Sequence, residues 1–570
     1  MVPPTRDCDI LILGAGGAGL FAALHAHKAA PHLSITVAVK GLLGKCGCTR
    51  MVQGGYNVAL AKEDSVERHF MDTIEGGKWL PDQELAWQLV TLAVERIHEL
   101  ENELGCFFDR NPDGTVHQKA FAGQTFDRTV HKGDLTGIEI INRLAEQVWA
   151  RRIERLEEHR AVELVKTPGG DAIAGVLFID MRTGEYLFVR AKTVLLATGG
   201  GPTMYRYHTP SGDKTCDGLA MALRAGLALR DMEMGQFHPT GLLAGTHTRM
   251  TGTVLEEGLR GAGGFLLGGN KERFMPAYDP KAERATRDLV SRAMFTEMRK
   301  GNTTPHGGLY ISMSHLGPQR VRREFKGMVE RCADCGFDLA GGLVEVVPTA
   351  HYMMGGVEFA GDCTTALRGL FTAGEDSGGV HGANRLGGNG VANSTVFGAV
   401  AGDHMAAFVR HEKLRQPDTR AIEAAIARCE RPFGAPRGDM EALRERLYDT
   451  MWQRVGILRD ARGLTQALHE LAALGAELER TGIQDTTRPF NLTWHDWLNL
   501  QSLIDVSRVI AQAALARQES RGAHYREDFP NTGALDASAY TSIRADGAVT
   551  MKPVAFTRVR PGQSLLKHAA

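Results

Sequence analysis

Asp9-Ile10-Leu11-Ile12-Leu13 runs straight into Gly14-Ala15-Gly16-Gly17-Ala18-Gly19; Leu20 to Lys28 follows with helical spacing, and a second apolar run comes at Ile35 to Val39. A short apolar run closed by glycine reads as a buried strand. The order strand, glycine loop, helix, strand is that of a dinucleotide-binding unit. The first glycine permits the tight turn, the second lets backbone approach a pyrophosphate, and the third lets helix sit close on strand. The second strand ends in Lys40, where an acidic residue for a ribose hydroxyl is usual. That departure argues against a routine NAD site and leaves FAD.

Working outward, other glycine loops follow apolar runs in the same way. Cys46-Gly47-Cys48-Thr49-Arg50-Met51-Val52-Gln53-Gly54-Gly55-Tyr56 is expected near the first loop in space. Val176 to Asp180 and Tyr186 to Val189 read as a hairpin, and Thr193 to Ala197 is a buried strand running into Thr198-Gly199-Gly200-Gly201, a second nucleotide contact. Thr215-Cys216-Asp217-Gly218 opens a helix over Leu219 to Ala225, with Asp217 placed to accept from its N-terminus. The longest glycine-rich stretch, Gly374 to Gly398, carries a single arginine, Arg385, able to hold a carboxylate with two parallel hydrogen bonds. Cofactor and substrate are expected to meet there.

The chain has 570 residues, enough for about four structural units. Its formal charge of −1 gives no electrostatic case for nucleic acid or an acidic membrane surface. Its 67 glycines exceed the roughly 7% average and suit backbone-mediated binding. No apolar run approaches the 18 or so residues of a membrane span, and Met1 to Asp9 carries no apolar signal region, so a cytosolic chain is expected. The nine scattered cysteines suit reduced thiols. Cys332 and Cys335 form one CxxC without a second pair, so no metal site is expected and the pair reads as structural.

Helical spacing covers Asp64 to Phe70 and Asp82 to Leu104, and a charged helix with a solvated face is expected over Arg151 to Arg160. Phe121, in the loop Phe121 to Thr125, is either a ring beside a ligand or a loop anchor. From Gln236 to about Gly342 apolar strands thin out and polar groups crowd in: Gln236 to Thr240, Glu256 to Gly261, and Arg284 to Asp288. A histidine, a carboxylate and several arginines in loops suit a small dianion; surface ion pairs are the plainer alternative. After Gly402 the pattern is helical, with Met440, Leu443, Leu447, Met451, Val455 and Leu458 on one stripe and a long helix from Leu498 to Gln518. The tail from Asn531 is irregular, with a strand-like Val549 to Phe556.

Taken together, the loop at Gly14, Gln53-Gly54-Gly55, Phe121 to Gly137, Thr198-Gly199-Gly200, Gln236 to Thr240, Arg287-Asp288, His351-Tyr352, Gly382 to Asn389 and Arg521-Gly522-Ala523-His524 resemble the flavoprotein subunit of succinate dehydrogenase and fumarate reductase, a family that includes L-aspartate oxidase. The resemblance covers nearly the whole chain. It implies an α/β fold: a Rossmann-like FAD-binding domain (1–235 and 346–415) interrupted by a mobile α+β capping domain (236–345), then a helical bundle domain (416–530) and a small C-terminal segment (531–570).

It further implies hydride transfer between flavin N5 and one carbon of a dicarboxylate double bond. Arg287 resembles the proton donor, Glu257 and Arg260 its relay, and His238, His351 and Arg385 the carboxylate-binding residues, with Phe121 and Glu256 beside the substrate. FAD contacts are implied at Gly14, Ala15, Gly16, Gly17, Ala18, Gly19, Val39, Lys40, Gly41, Cys48, Thr49, Gln53, Gly54, Gly55, Val162, Ala197, Thr198, Gly199, Asp217, Tyr352, Gly374, Arg385 and Asn389. Glu375 would take the adenosine ribose, and Gly390 and Val391 would pass close to the flavin. Arginine normally keeps its proton, its pKa being about 12.5 or higher. It serves as acid only toward a carbanion-like centre and with a carboxylate that reprotonates it.

Three departures bear on function. The respiratory members tether FAD through a histidine in a His-Thr pair; here Cys48-Thr49 stands there, so FAD is either held without a covalent bond, the favoured reading, or linked as a thioether to Cys48. Loss of the link should favour fumarate reduction. Glu256 replaces a substrate-binding threonine and would repel a dianion unless it faces away, and Ala262 replaces a glutamate. The leading expectation is a catalytic subunit interconverting fumarate and succinate, passing electrons to an iron–sulfur subunit, which would in turn hold it to a membrane anchor on the cytoplasmic face of the inner membrane. The alternatives are a stand-alone L-aspartate oxidase-like enzyme and a flavin-binding subunit without turnover.

Overall fold

The computed structural model describes residues 3–245 and 248–566. Its centre is a seven-stranded mixed sheet with strand order Glu154–Leu156, Ile35–Ala38, Thr5–Leu13, Glu185–Leu196, Ile173–Asp180, His159–Lys166, and Leu370–Thr372 pairing beside Glu185–Leu196. Ile10 to Leu13 are all buried, because this strand is covered on both faces and so reads as continuously apolar rather than alternating. The 12-residue strand Glu185–Leu196 does two jobs. Its first half pairs antiparallel with Ile173–Asp180, and its second half lies parallel between Thr5–Leu13 and Leu370–Thr372. The parallel strands therefore end together, at Leu13, Ala38, Leu196 and Thr372, and release their loops on one edge of the sheet.

Gly14 makes the first of these turns at φ +107°, and a Cβ there would lie 2.1 Å from the carbonyl oxygen of Ala197. No other residue fits that corner. The helix Gly17–Ala29 then packs against the helix Asn389–Phe408 across small residues. A Cβ on Gly398 would lie 2.6 Å from the Ala18 carbonyl oxygen, and one on Gly402 would lie 2.4 Å from that of Ala22. Segments nearly four hundred residues apart in sequence thus form one backbone-to-backbone contact.

Between the two halves of this unit, Gly235–Leu242, Leu343–Met353, Leu309–Ser312 and Phe265–Leu267 form a four-stranded antiparallel sheet with its own apolar cluster. The sequence reading of this region as poor in strands is corrected here. Its strands are three to four residues long except at the two ends, too short for an apolar run to stand out. Four helices follow, Thr419–Gly434, Met440–Arg454, Ala461–Leu478 and Leu492–Ala516. Each begins with an Asp or Asn, Asp418, Asp439, Asp460 and Asn491, whose side chain accepts from first-turn amides. They bury Trp494 and Trp497 in a cluster shared with the central sheet. A hairpin, Ala539–Ile543 with Val549–Pro553, closes the chain.

Two further expectations are overturned. Arg151 to Arg160 is not a charged helix: Glu154–Leu156 is the outer strand of the central sheet and His159–Lys166 begins the next. Arg160, far from solvated, is buried, because Asp217 supplies its counter-charge at 2.8 Å. Asp217 in turn does not cap its helix. It is the first residue of Asp217–Arg224, and its carboxylate is taken by Lys40 Nζ at 2.9 Å, Arg160 Nη2 and Ser502 Oγ.

Candidate active site

The loops at the strand ends enclose a narrow cleft that opens into a cavity of ≈ 610 Å³, ample for a small substrate beside a flat cofactor ring. Gly14, Ala15, Gly16, Val39, Lys40, Gly41 and Asp217 line the cleft. Gly17, Ala18, Cys48, Thr49, Gln53, Gly54, Gly55, Ala197, Tyr352, Gly374, Glu375, Gly390 and Val391 line the cavity, and Thr198 and Gly199 border both. Side chains at Gly16, Gly47 or Gly199 would project into the channel with nothing nearer than 3.6 Å. Bare backbone along an elongated channel, beginning at a helix N-terminus, suits a dinucleotide. Four sequence-derived candidates stand behind the wall. Gly19 packs on Gly14, Val162 lies buried in the sheet, Arg260 backs Glu257, and Asn389 is held from below by Asn57 and His69 at 2.8 and 3.0 Å.

At one end of the cavity, Phe121, His238, Glu256, Glu257, Arg287, His351 and Arg385 converge. Glu257 joins two guanidiniums: its Oε1 accepts from Arg260 Nη2 at 3.1 Å, and its Oε2 accepts from Arg287 Nε at 3.1 Å and Nη2 at 2.6 Å. All three side chains are buried. Burial pushes the Glu257 carboxyl up, but Arg287 and Arg260 outweigh it and hold the group below the ordinary range, so it is ionised. Burial, opposed by Glu257, leaves Arg260 lower than usual. Gln236 Oε1 accepts from Arg287 Nη1 at 3.1 Å while its amide donates to the Arg385 carbonyl at 2.7 Å, fixing the spacing of the two arginines.

Arg385 lies over the Tyr352 ring at 4.4 Å. Its Nε is buried without a partner, and its Nη1 reaches only the Leu386 carbonyl at 3.4 Å. Burial and the nearby Arg287 bring it down to about 10. A buried guanidinium so poorly satisfied is prepared for an anion. His238 and His351 stand edge to face at 5.4 Å. Burial first, then Arg287 and other cations, hold both well below the usual histidine range, so both are neutral. Thr209 Oγ1 lies 2.8 Å from His351 Nδ1, leaving Nε2 for the cavity. Phe121 is both a ring at the cavity and an anchor: a Cβ on Gly54 would lie 2.5 Å from it and one on Gly387 2.6 Å.

Glu256 does not face away, as a repelled carboxylate should; it lines the cavity, with Lys119 Nζ at 3.5 Å. Lys119, Thr209 and Arg331 were not singled out by the sequence. Arg331 lies on the helix Lys326–Asp334, donates to the Val254 carbonyl at 2.9 Å, and lies against the Gln53 side-chain amide. Lys119 and Arg331 sit among charged or irregular stretches without a motif. Thr209 alone had a signal, the turn-rich Thr209-Pro210-Ser211-Gly212-Asp213 after a glycine loop.

The FAD binding domain family matches residues 9–391, and the family described as fumarate reductase flavoprotein C-term matches residues 444–565. A chain of the CoM/CoB fumarate reductase of Methanothermobacter marburgensis is 39% identical over 538 residues, covering 92% of this chain and 95% of the relative. The fumarate reductase flavoprotein subunit of Escherichia coli is 36% identical over 547 residues, covering 92% and 89%. A chain of a solved E. coli quinol fumarate reductase superposes with a TM-score of 0.91 at 33% identity, covering 98% of this chain and 99% of that one.

Proposed function

The chain belongs to the flavoprotein-subunit family of fumarate reductases and succinate dehydrogenases, and we propose that it is a catalytic subunit interconverting fumarate and succinate, working chiefly in the direction of fumarate reduction. The observation that carries this reading is the unbroken chain Arg260–Glu257–Arg287 on the wall of a cavity shared with the glycine loops. The chain is FAD-dependent. Gly14 to Ala18 with the Gly17–Ala29 helix N-terminus would hold the pyrophosphate, and Thr198, Gly199, Gly374, Gly390 and Val391 the remainder. FAD supplies a carrier that delivers or accepts a hydride at its N5.

The residues of the chain do the rest. Arg385, with neutral His351 and His238, would grip the carboxylates and stabilise negative charge as it spreads into one of them. Arg287 would give a proton to the carbon next to the one receiving hydride. Glu257, ionised between two guanidiniums, would take a proton from Arg260 and return it to Arg287. Closure of the 236–345 region over the bound substrate would exclude water from the site.

Electron exchange calls for a companion. The relatives are named as subunits, and the cysteines of this chain are free thiols. We assign the role to an iron–sulfur subunit, which would also link the chain to a membrane; among the described residues no helix is long and apolar enough to cross one. The test is anaerobic oxidation of a reduced viologen dye by the native holoenzyme on addition of fumarate. Succinate should appear in step with dye oxidation, and iron should copurify. Absence of turnover at saturating fumarate overturns the activity, and a native preparation without iron overturns the partner.

A further inference from the structure

Glu256 and Glu257 are neighbours in sequence and lie in opposite environments. Glu257 accepts three hydrogen bonds from two guanidiniums. Glu256, 6% exposed, accepts one, from Lys119 Nζ at 3.5 Å, the outer limit of such a bond. The charged groups around it come from three elements. Lys119 is on the strand Gln118–Lys119, Asp134 precedes the helix Thr136–Trp149, and Arg331, on the helix Lys326–Asp334, is already engaged by the Val254 carbonyl and Gln53. The Glu257 carboxylate points the other way, to Arg260 and Arg287. Burial pushes the Glu256 carboxyl up and Asp134 adds to it; Lys119 and, more weakly, Arg331 pull it down, and burial prevails. Two adjacent carboxylates driven apart in this way take different roles: one stays an anion, the other is an acid in waiting.

We propose that Glu256 is a specificity-determining residue that binds a substrate carboxylate by donating a hydrogen bond from its protonated carboxyl group, so that the dianion enters together with one proton. The proposal rests on the dicarboxylate reading of this cavity. An ionised Glu256 would repel the substrate; a neutral one presents an O–H to a carboxylate, a short charge-assisted bond. It thereby supplies the hydroxyl that a threonine would supply at this position, on a longer arm. A dianion in the same cavity raises the proton affinity of Glu256 further, so binding and protonation reinforce each other.

Calorimetric titration of fumarate into the oxidised FAD holoprotein, in buffers of different ionisation enthalpy, counts the protons taken up without turnover. As pH rises through the range in which the free carboxyl ionises, the wild-type uptake should climb towards one, and Kd should rise by about tenfold per pH unit at the alkaline end. E256Q, which keeps an N–H donor and cannot titrate, should bind with uptake near zero and a flat Kd; E256T should do the same if E256Q fails to fold. Uptake persisting in these variants would place the proton on His238 or His351 and overturn the proposal, as would a wild type with no uptake and a flat Kd. Absence of any fumarate heat in the wild type overturns the dicarboxylate reading, and this inference with it.

Discussion

Replacing Arg287 by lysine separates proton delivery from charge. The arginine makes three hydrogen bonds, two to Glu257 Oε2 and one to Gln236 Oε1. Lysine retains a positive charge facing Glu257, so the penalty of about 3–5 kcal/mol for leaving a buried charge unpaired is avoided. Its single ammonium cannot span both partners. The buried Gln236 oxygen and one N–H bond to Glu257 are lost, at about 1–2 kcal/mol each, for a total near 2–4 kcal/mol in folding stability. The kinetic loss is larger in consequence. Misplacing a general acid removes about 10²–10⁴-fold, which is about 3–5 kcal/mol on the barrier. None of the three bonds reaches the glycine loops, so FAD content should equal that of the wild type. The assay is fumarate-dependent dye oxidation, with flavin absorbance read on the same sample. A variant within tenfold of the wild-type rate at saturating fumarate would refute Arg287 as the proton donor.

His69 and Cys48 make two further predictions. His69 lies buried beneath Asn389 and is held down to about 3, by burial first and then by Arg128. Its folded pKa is depressed, so its contribution to stability is full above the unfolded value near 6.5 and shrinks by about 1.4 kcal/mol per pH unit as pH falls towards about 3. His69→Gln should therefore flatten the acid side of the urea-unfolding curve between about pH 6 and about pH 4.5; a variant whose stability falls in parallel with the wild type contradicts the assignment. The Cys48 thiol is pushed up to about 12 by burial and by Glu375, while thiolate is the form that attacks. Acid precipitation of the holoprotein should leave flavin in the supernatant, and Cys48→Ser should keep its FAD; a fluorescent pellet would establish the thioether instead.

What could be read in advance divides along a physical line. Close backbone approach leaves a mark in sequence, since at Gly14 and Gly19 a Cβ would come within 2.1 Å of a carbonyl oxygen, so the nucleotide unit was legible from eleven consecutive residues. The polar groups from Gln236 to Arg287 were legible for a similar reason, an apolar core having no use for them, although the loops expected there are in part the strand Gly235–Leu242 and the helix starts at Gly258 and Arg287. Buried charge outside those motifs was not legible. Arg160 and Asp217 read as a solvated face and a helix cap because charged side chains are mostly exposed. Only the fold, by bringing residues 57 positions apart within 2.8 Å, makes them each other's solvent. Lys119 beside Glu256 is the same case at the site itself. The four-stranded sheet between the halves of the nucleotide unit escaped because its second and third strands in chain order are short and the four are joined through long polar connections.

The glycine contact between the helices Gly17–Ala29 and Asn389–Phe408 also sets a timetable for the ribosome. The first strand and its glycine loop are synthesised at once and find strand partners in Ile35–Ala38 and Glu185–Leu196, yet the helix behind the loop has no facing helix until Gly402 has reached Ala22. At about 5–20 residues per second, roughly 20–80 s of translation separate the two halves. For that interval FAD has only half a receptor. The full lining of the FAD cavity exists only once the chain has been made as far as Ser394.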